Sequence, residues 1–410
     1  MALMTTTRTL AFGLVSLGLA ATAFAQDYTQ WRGQGRDGSA SGFVAPKAWP
    51  ETLTPAWKVE VGAGYATPII VGNRVYTHTR QGENEVMLAL DADTGKTVWQ
   101  TPYPAPYKMN PATKNHGQGP KSTPLFLDGR LYTLGISGIV SAFQASDGKL
   151  LWQKPAPPVD PLYGTAMSPI ADKGVVIFHV GGNDQGALTA FDARTGDVRW
   201  AWSGDGPAYA SPIITEFGGT RQLITMTQKN AVALDVATGA LLWQLPWITR
   251  STNNSTTPLR FGDTIILSGQ GKGTMAVRPV RKGNAWTAET VWETAEVGTF
   301  MSNPVIVGDT LFGLSHLASG QYFALDLPTG KVLWLGEPRA ATNTAIVKAG
   351  ETLFLLNDDA ELVVARASRT GFEPVKTYTV ASSSTWAQPA VSGSRMFIKD
   401  VSTLSLFRLN

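Results

Sequence analysis

The sequence has no cysteine in its 410 residues. This excludes disulfides, thiol chemistry and cysteine-based metal sites, even if the protein is exported to an oxidising compartment. Charge is also scarce, because only 16% of the residues are charged and the formal net charge is +3. So small a surplus gives no electrostatic footprint for nucleic acid or an anionic membrane surface, and we expect no nucleic-acid partner.

Long apolar runs are missing except near the N-terminus. Arg8 precedes an apolar stretch from Leu10 to Leu19, which is too short to span a membrane, and Ala23-Phe24-Ala25 is a small-x-small cleavage site. We predict a signal peptide over residues 1–25, cleaved after Ala25. The mature protein is then expected to be periplasmic or secreted and without a membrane span. No cysteine follows the cleavage site, so we expect no lipid anchor.

Glycine, by contrast, is abundant with 42 residues, and tryptophan occurs 13 times. This composition is typical of a turn-rich all-β protein. The stretch ALDADTGKTVWQ, residues 89–100, predicts a strand, a tight polar turn and a second strand. Variants of it begin at Ala142, Ala190, Ala233 and Ala324. A repeat at a nearly fixed period indicates a repeat architecture such as a propeller or a solenoid.

Each repeat predicts a four-stranded antiparallel unit, because a small polar residue and a proline lead into an apolar strand and turns separate three further strands. Three hairpins in series form the blade of a propeller. Within the turn, Gly95 permits a positive φ, and Asp91 and Thr94 can bond turn amides. We expect Trp99 and its equivalents to pack against a neighbouring blade, because a residue that recurs in seven repeats is a structural one.

The number of blades follows from the repeat starts. Eight starts occur, at Thr67-Pro68, Thr123-Pro124, Ser168-Pro169, Ser211-Pro212, Thr257-Pro258, Asn303-Pro304, Thr344-Ala345 and Gln388-Pro389. The last repeat has room for three strands, and Thr54 to Val61 supplies the fourth. We therefore predict an all-β, eight-bladed β-propeller of four-stranded antiparallel blades, closed by pairing of the N-terminal strand with the C-terminal blade.

The predicted domains are an N-terminal extension over residues 26–53 and a single propeller over residues 54–410. Within the extension, the segment QWRGQGRDG, residues 30–38, is rich in glycine and arginine. We expect it to form an irregular segment laid across the surface.

The A-x-D-x-x-T-G-x-x-x-W pattern resembles the repeat of the quinoprotein-type, or PQQ-like, eight-bladed β-propellers over nearly all of the mature chain. That superfamily includes the pyrroloquinoline-quinone alcohol dehydrogenases and the BamB-like propellers, and QWRGQGRDG is similar to the opening of many exported members. In the family, the tryptophan motif implies docking of one blade on the next. It does not imply that the quinone is bound.

Resemblance to the dehydrogenases would imply PQQ with Ca²⁺, a cysteine pair beneath the quinone, acidic and asparagine ligands for the cation, and a catalytic aspartate. This chain has no cysteine, and the residues expected around its channel include no carboxylate. The four histidines fall in different repeats, which does not favour a shared metal site. We therefore expect no catalytic residues, no metal and no cofactor, with PQQ and Ca²⁺ as the alternative.

One set of positions should surround the central channel on one face, three residues before each repeat-start proline or its equivalent. These positions are Tyr65, Lys121, Ala166, Tyr209, Ser255, Met301, Thr342 and Trp386. They do not follow the repeat, and two proline-rich connections, residues 101–121 and 154–165, adjoin them. We therefore predict a ligand or partner site at this channel mouth, with the alternative that it is ordinary water-filled lining. The candidate site residues are Tyr65, His116, Lys121, Tyr163, Tyr209, Asn254 and Trp386.

These observations predict an exported, monomeric and non-catalytic propeller that serves as a binding or scaffold protein of the cell envelope, with a protein as its partner. The alternatives are a PQQ-dependent quinoprotein dehydrogenase-like oxidoreductase and a carbohydrate-binding propeller that uses exposed aromatic residues.

Overall fold

The computed structural model of the protein describes residues 27–40, 42–159 and 162–409. The predicted signal peptide, residues 1–25, lies outside this range. The described chain forms eight separate four-stranded antiparallel sheets, which are the blades of a propeller. The predicted all-β, eight-bladed fold is therefore confirmed. Within the described residues, no helix is long and apolar enough to cross a membrane.

The first strand, β1 (Pro55–Glu60), belongs to the last blade, and the next sixteen strands form the first four blades in chain order. Blade 1 contains β2 (Ile69–Val71), β3 (Arg74–Gln81), β4 (Asn84–Asp91) and β5 (Thr97–Pro104). Blade 2 contains β6 (Leu125–Leu127), β7 (Arg130–Leu134), β8 (Val140–Gln144) and β9 (Leu150–Lys154). Blade 3 contains β10 (Ile170–Asp172), β11 (Val175–Gly182), β12 (Gln185–Asp192) and β13 (Val198–Trp202). Blade 4 contains β14 (Ile213–Phe217), β15 (Thr220–Met226), β16 (Asn230–Asp235) and β17 (Leu241–Pro246).

The remaining strands form the other four blades. Blade 5 contains β18 (Leu259–Phe261), β19 (Thr264–Gly269), β20 (Gly273–Lys282) and β21 (Ala285–Thr294). Blade 6 contains β22 (Val305–Val307), β23 (Thr310–Ser315), β24 (Gln321–Asp326) and β25 (Val332–Leu335). Blade 7 contains β26 (Thr344–Ala349), β27 (Thr352–Asn357), β28 (Glu361–Arg366) and β29 (Glu373–Thr379). Blade 8 joins β1 to β30 (Ala390–Ser392), β31 (Arg395–Lys399) and β32 (Thr403–Arg408).

The two ends of the chain meet in blade 8. Strand β1 pairs antiparallel with β32, with Trp57 opposite Leu406 and Val59 opposite Leu404. This pairing closes the ring as predicted, because without β1 the outer edge of β32 would be left without a partner strand.

The repeated tryptophan docks each blade on the next one. The indole N–H of Trp99 in blade 1 donates to the carbonyl oxygen of Ala145 in blade 2 at 3.0 Å. Trp200 in blade 3 likewise donates to the carbonyl oxygen of Val236 in blade 4 at 3.0 Å. The turn glycine of the receiving blade has to be small, because a Cβ atom on Gly148 would collide with the ring of Trp99. The tryptophan therefore packs between blades, as predicted.

Blades 5 and 7 depart from this pattern. Blade 5 has a long β20–β21 hairpin in place of the Asp-x-x-Thr-Gly turn, and Trp243 of blade 4 donates instead to Gln222 Oε1 within its own blade at 2.9 Å. In blade 7, Lys376 lies opposite Val364, the register position that tryptophan occupies in the other repeats. Trp243 still packs in a buried cluster with Ile265 and Val277 of blade 5, whereas the partly buried Lys376 forms an ion pair with Glu51.

A belt of hydrogen bonds links the inner strands of neighbouring blades. The backbone N–H of Thr67 donates to Thr123 Oγ1 at 3.3 Å, and that of Thr123 donates to Ser168 Oγ at 3.0 Å. The N–H of Ser168 continues the series to Ser211 Oγ at 2.9 Å. These are the small polar residues of the repeat starts. Their role is to satisfy a buried backbone donor of the preceding blade, which explains why the position is Ser or Thr in so many repeats.

Residues 27–40, which we call the channel segment, fill one end of the central channel. Tyr28 pairs with Ile70 in blade 1, and the N–H of Ala40 donates to the carbonyl oxygen of Lys348 in blade 7 at 2.7 Å. Residues between these ends contact the other blades: Thr29 with blade 2, Arg36 with blades 3 and 4, Trp31 with blade 5 and Arg32 with blade 6. The Tyr28 hydroxyl accepts from Gln388 before blade 8 at 3.4 Å.

The expectation that Gln30–Gly38 lies across the surface is therefore wrong. Arg32 and Arg36 are 0% and 4% exposed, so both guanidinium groups lie inside the propeller. Inner strands leave carbonyl oxygens pointing into the channel, and buried acceptors need donors. Arginine supplies several donors in one side chain, and the glycines let the segment turn within a narrow space.

Candidate functional site

The blades enclose a cavity of about 450 Å³ on the channel axis. Its walls come from residues that precede the innermost strands of all eight blades. They include Tyr65, Lys121, Tyr163, Ala166, Tyr209, Ser211, Asn253, Ser255, Phe300, Met301, Asn303, Asn343 and Trp386. Aromatic and amide side chains dominate this set, which is the composition of a binding pocket.

The floor of the cavity is made by the channel segment. Trp31 lines the cavity, and its indole N–H donates to Thr257 Oγ1 at 3.0 Å. Arg36 of the same segment donates to the carbonyl oxygens of Pro169 and Pro212, both at 2.8 Å. The segment thus closes the channel behind Trp31, and the cavity is a one-ended pocket.

The first proline-rich connection forms part of the cavity wall. Pro111–His116 is a short 3₁₀ helix, and Asn110 caps it by accepting a hydrogen bond from the N–H of Ala112 at 3.0 Å. His116 faces the cavity and lies edge-on to Trp386, with 4.5 Å between the ring centroids. The connection, which joins blade 1 to blade 2, therefore also contacts the entry of blade 8.

The second proline-rich connection contributes a pair of aromatic rings. Tyr163 lies next to Tyr209, with 6.2 Å between ring centroids and 34° between ring planes. Burial raises the pKa of Tyr209 well above its ordinary value. The Tyr209 hydroxyl is therefore neutral at physiological pH and acts as a hydrogen-bonding group.

The charged groups of the pocket are basic. Burial lowers the pKa of Lys121 to about 8, and the Lys121 ammonium donates to the carbonyl oxygen of Tyr163 at 3.0 Å. Burial, and then the positive charge of Lys121, lowers the pKa of His116. Arg250 also lines the cavity, and no Asp or Glu is found among the described lining residues. At pH 7 the pocket carries positive charge from Lys121 and Arg250.

Six of the seven predicted site residues are brought together by the structure. Tyr65, His116, Lys121, Tyr163, Tyr209 and Trp386 all line this one cavity. Of the eight positions expected around the channel, seven line it and Thr342 does not. The geometric part of the prediction therefore describes a real cavity, and its use as a binding site stays a prediction.

The prediction that Asn254 lies at the channel mouth is wrong, because Asn254 does not line the pocket. It is 1% exposed, and its amide nitrogen donates to the carbonyl oxygens of Thr227 and Trp247 at 2.7 and 2.8 Å. Its side-chain oxygen accepts from Thr249 Oγ1 at 2.9 Å. The residue ties the turn before blade 5 to blade 4, and Asn253 and Ser255 on either side face the cavity instead.

The four histidines have four different environments. His116 is in the pocket, His179 Nε2 lies 3.2 Å from the carbonyl oxygen of Asp205, and His316 Nδ1 lies 2.6 Å from that of Gly298. His78 is fully buried beside Glu85. Among the described residues, no group of three or more His, Asp or Glu side chains is placed to hold a metal ion.

Sequence reasoning missed a buried polar cluster between blades 1 and 2. Tyr103 Oη donates to Glu85 Oε2 at 2.7 Å and lies 2.8 Å from His78 Nε2, while the N–H of Ile136 donates to Glu85 Oε1 at 2.7 Å. Gly135 lies directly against the Glu85 carboxylate, where a Cβ would collide. The sequence of β4 did contain a clue to this cluster, because Glu85 precedes a run of apolar residues in a strand that is buried on both faces. The cluster is closed to solvent, so it is a structural element.

The described lining of this pocket does not fit the calcium ion that accompanies the quinone in the dehydrogenases. Ca²⁺ requires several oxygen ligands, usually with carboxylates among them. The described lining offers amide oxygens instead, and two of these are engaged: Asn303 Oδ1 accepts from the N–H of Thr257 at 2.7 Å, and Asn343 Oδ1 accepts from Ser302 Oγ at 2.7 Å. The donor set is that of a pocket for an organic ligand.

Known proteins with similar sequences fall into two groups. Outer membrane protein assembly factor BamB from Yersinia pestis is 24% identical over 327 residues, covering 77% of this chain and 68% of that protein. The dehydrogenase subunit of the quinone alcohol dehydrogenase from Acetobacter aceti is 32% identical over 148 residues, covering 33% of this chain and 19% of that protein. This chain thus matches about two thirds of the length of the first protein and about a fifth of the second.

The fold is shared with a solved BamB structure. The crystal structure of BamB from Moraxella catarrhalis superposes with a TM-score of 0.64 at 14% identity, covering 87% of this chain and 98% of that one. The family model described as outer membrane protein assembly factor BamB matches residues 47–118 and 85–336 of this sequence. Because the model covers most of the chain, this protein belongs to the family of outer membrane protein assembly factor BamB.

Proposed function

We propose that this protein is an exported, non-catalytic binding protein of the cell envelope that holds a partner at the axial pocket. The observation that carries the proposal is the chemistry of the pocket. Aromatic, amide and basic side chains line it, and the described lining includes no carboxylate to act as a base or a metal ligand. Such a set can recognise and hold a ligand.

The fold supports the same proposal. The belt of hydrogen bonds and the docked tryptophans connect neighbouring blades, so the walls of the pocket are held by a rigid ring. Binding residues on a rigid scaffold lose little conformational entropy when the partner arrives. The name of the related proteins, assembly factor, is consistent with a role in binding other proteins.

Affinity purification from the native envelope tests the proposal. The tagged protein is compared with a Tyr209→Ala, Trp386→Ala variant and with a Val198→Ala, Leu241→Ala control. The control residues are exposed on the outer strands of blades 3 and 4, away from the pocket lining. We expect wild type and control to retain the same partner and the pocket variant to lose it. Equal recovery of the partner by all three proteins would contradict the proposal.

A quinone-dependent oxidoreductase is the second candidate. The axial position of the pocket and the similarity to the alcohol dehydrogenase subunit favour it. Adding PQQ and Ca²⁺ to the purified protein and measuring quinone absorbance and dye-linked alcohol oxidation separates the two. We expect neither stoichiometric quinone binding nor turnover, and observing both would replace our proposal with this one.

A further inference from the structure

The basic groups of the pocket have no carboxylate beside them among the described lining residues. The Lys121 ammonium has three donors, and the described structure gives it one acceptor, the carbonyl oxygen of Tyr163. Arg250 forms no ion pair within the described chain, although it lines the same cavity. Asp358 and Asp400 lie near enough to act electrostatically on His116 and Tyr65, but neither lines the pocket.

A partly buried charge is stabilised when a ligand or water completes its hydrogen bonds. Two other buried cations of the described chain have more acceptors than Lys121 has. Lys399 donates to three carbonyl oxygens, those of Gly62, Asp400 and Val401. Arg36 donates to the carbonyl oxygens of Ser168, Pro169 and Pro212. Lys121 differs from both, because it is only partly buried, lines the cavity and has one protein acceptor.

The rest of the pocket is shaped for a ring. Tyr163 and Tyr209 form one wall, the His116–Trp386 pair lies on another, and Trp31 closes the floor. Aromatic rings pack favourably in edge-to-face and offset-stacked arrangements, which a planar ligand can join. A volume of about 450 Å³ lies within the range of small-molecule sites, and it accommodates one or two rings with a short polar arm.

We propose that the pocket binds a carboxylate carried beside an aromatic ring, with Lys121 as the carboxylate-binding residue and the tyrosine and tryptophan side chains around the ring. Two sources offer this chemistry: a free aromatic acid, or an adjacent aromatic and acidic residue in a segment of the partner protein. This inference deepens the proposed function and rests on it. Because the floor is closed by the channel segment, the ligand enters from the side of the His116 connection.

Calorimetric titration of the purified full chain at pH 7, without added metal, tests the inference. The free probes are indole-3-acetate and its neutral analogue indole-3-acetamide. The peptide probes are acetyl-Trp-Asp-amide and acetyl-Trp-Asn-amide. We expect the carboxylate member of at least one pair to bind about tenfold more tightly than its amide, the size of one charge-assisted hydrogen bond. Tighter binding of the free acid or of the peptide identifies which source the pocket prefers.

Two lysine variants assign the carboxylate contact. Lys121→Met removes the charge and keeps a side chain of similar length, and we expect it to abolish the preference for the carboxylate. Lys114→Met is the matched control, because Lys114 is exposed in the same connection and is not among the described residues that line the pocket. We expect this control to bind as wild type does. If Lys121→Met fails to fold, the comparison of carboxylate and amide probes in the wild-type protein still tests whether the pocket prefers a carboxylate.

Three results would overturn the inference: equal affinity for acid and amide, no binding of any probe, or tighter binding of a neutral sugar such as maltose. A preserved carboxylate preference in Lys121→Met would remove the assigned role of Lys121. None of these outcomes touches the proposed binding function, which is judged by recovery of an envelope partner by wild type and its loss from the pocket variant.

Discussion

The Arg36 guanidinium donates to the carbonyl oxygen of Pro212 at 2.8 Å, joining residues that are 176 positions apart in the sequence. The same side chain donates to the carbonyl oxygens of Ser168 and Pro169, so one arginine ties blade 3, blade 4 and the channel segment together. A segment that precedes the propeller in sequence is therefore part of its core. The floor of the pocket depends on this contact, because Trp31 lies in the same segment.

Replacing Arg36 with methionine is expected to destabilise the protein by about 3 kcal/mol or more. The buried carbonyl oxygens lose their donors, and each hydrogen bond to a charged group contributes roughly 1.5–3 kcal/mol. Urea denaturation measures the change. Arg194→Met is the control, because Arg194 is exposed and its side chain forms no hydrogen bond within the described structure. Similar midpoints for the two variants would contradict a structural role of the channel segment.

The docking of tryptophan on glycine is tested by a pair of glycine variants in blade 4. Gly239 and Gly219 both have positive φ angles, 73° and 75°. A Cβ on Gly239 would lie 2.5 Å from Trp200 Cε3, whereas a Cβ on Gly219 meets no atom within 4 Å. Gly219→Ala should cost about 1–2 kcal/mol from backbone strain alone. We expect Gly239→Ala to cost roughly 1–3 kcal/mol more, from overpacking.

Thermal unfolding of the two glycine variants separates strain from packing. Because the backbone conformations match, the difference between the two melting temperatures reports the contact with Trp200. Equal melting temperatures would show that the tryptophan can move aside, and that docking of blade 3 on blade 4 is looser than the structure indicates.

The buried cluster of Glu85 predicts acid-sensitive stability. Burial alone would raise the pKa of Glu85, but hydrogen bonding and charge from His78, with further hydrogen bonds from Ile136 and Tyr103, lower it below its ordinary value. A lowered pKa in the folded state stabilises the protein above the unfolded pKa of about 4.3. This stabilisation is lost as the pH falls through the lower folded value.

Glu85→Gln is therefore expected to reduce stability at pH 7 by roughly 1–3 kcal/mol, because the Tyr103 hydroxyl loses a charged acceptor. The difference from wild type should shrink on acidification below about pH 4.3. Glu373→Gln is the control, since Glu373 is exposed and outside any ion pair of the described chain. Denaturant unfolding at a series of pH values gives both results, and a difference that is constant with pH would exclude the proposed linkage.

Ligand binding should weaken in alkaline solution. Lys121 has a pKa of about 8 in the free pocket, and its neutral amine no longer attracts a carboxylate above that pH. Its titratable and charged neighbours around the cavity are His116, Tyr65, Tyr163, Tyr209 and Arg250. His116 is neutral throughout this range because its pKa is lowered, and the pKa values of Tyr65 and Tyr209 are raised.

We expect the affinity for indole-3-acetate to fall by up to tenfold per pH unit above about pH 8, in titrations from pH 7 to 10. In Lys121→Arg the charge persists across this range, so binding should be much less dependent on pH. A flat profile in wild type would show that Lys121 does not bind the carboxylate.

The position of the cavity could be predicted from the sequence, but the full set of residues that line it could not. The positions before each repeat-start proline were expected around one channel mouth because a propeller repeats its geometry, and seven of the eight do line the cavity. The prediction for Asn254 was wrong because neighbouring residues of this turn point in different directions. The side chain of Asn254 bonds to the backbone of blade 4 and does not face the cavity. Trp31 and Arg250 were missed, because a segment without a periodic pattern carries no signal of what it packs against.

The sequence by itself determined the blade, the number of blades and the closure of the ring, because most repeats carry their own turn, strand alternation and docking tryptophan. These are short-range features, and eight copies reinforce one another. Only the tertiary structure decided what fills the axis. There the contacts are non-repeating and join residues far apart in sequence, as in Trp31 with Thr257 and Arg36 with Pro212. Buried carbonyl oxygens of several blades face the central channel and need hydrogen-bond donors, and the channel segment supplies these donors.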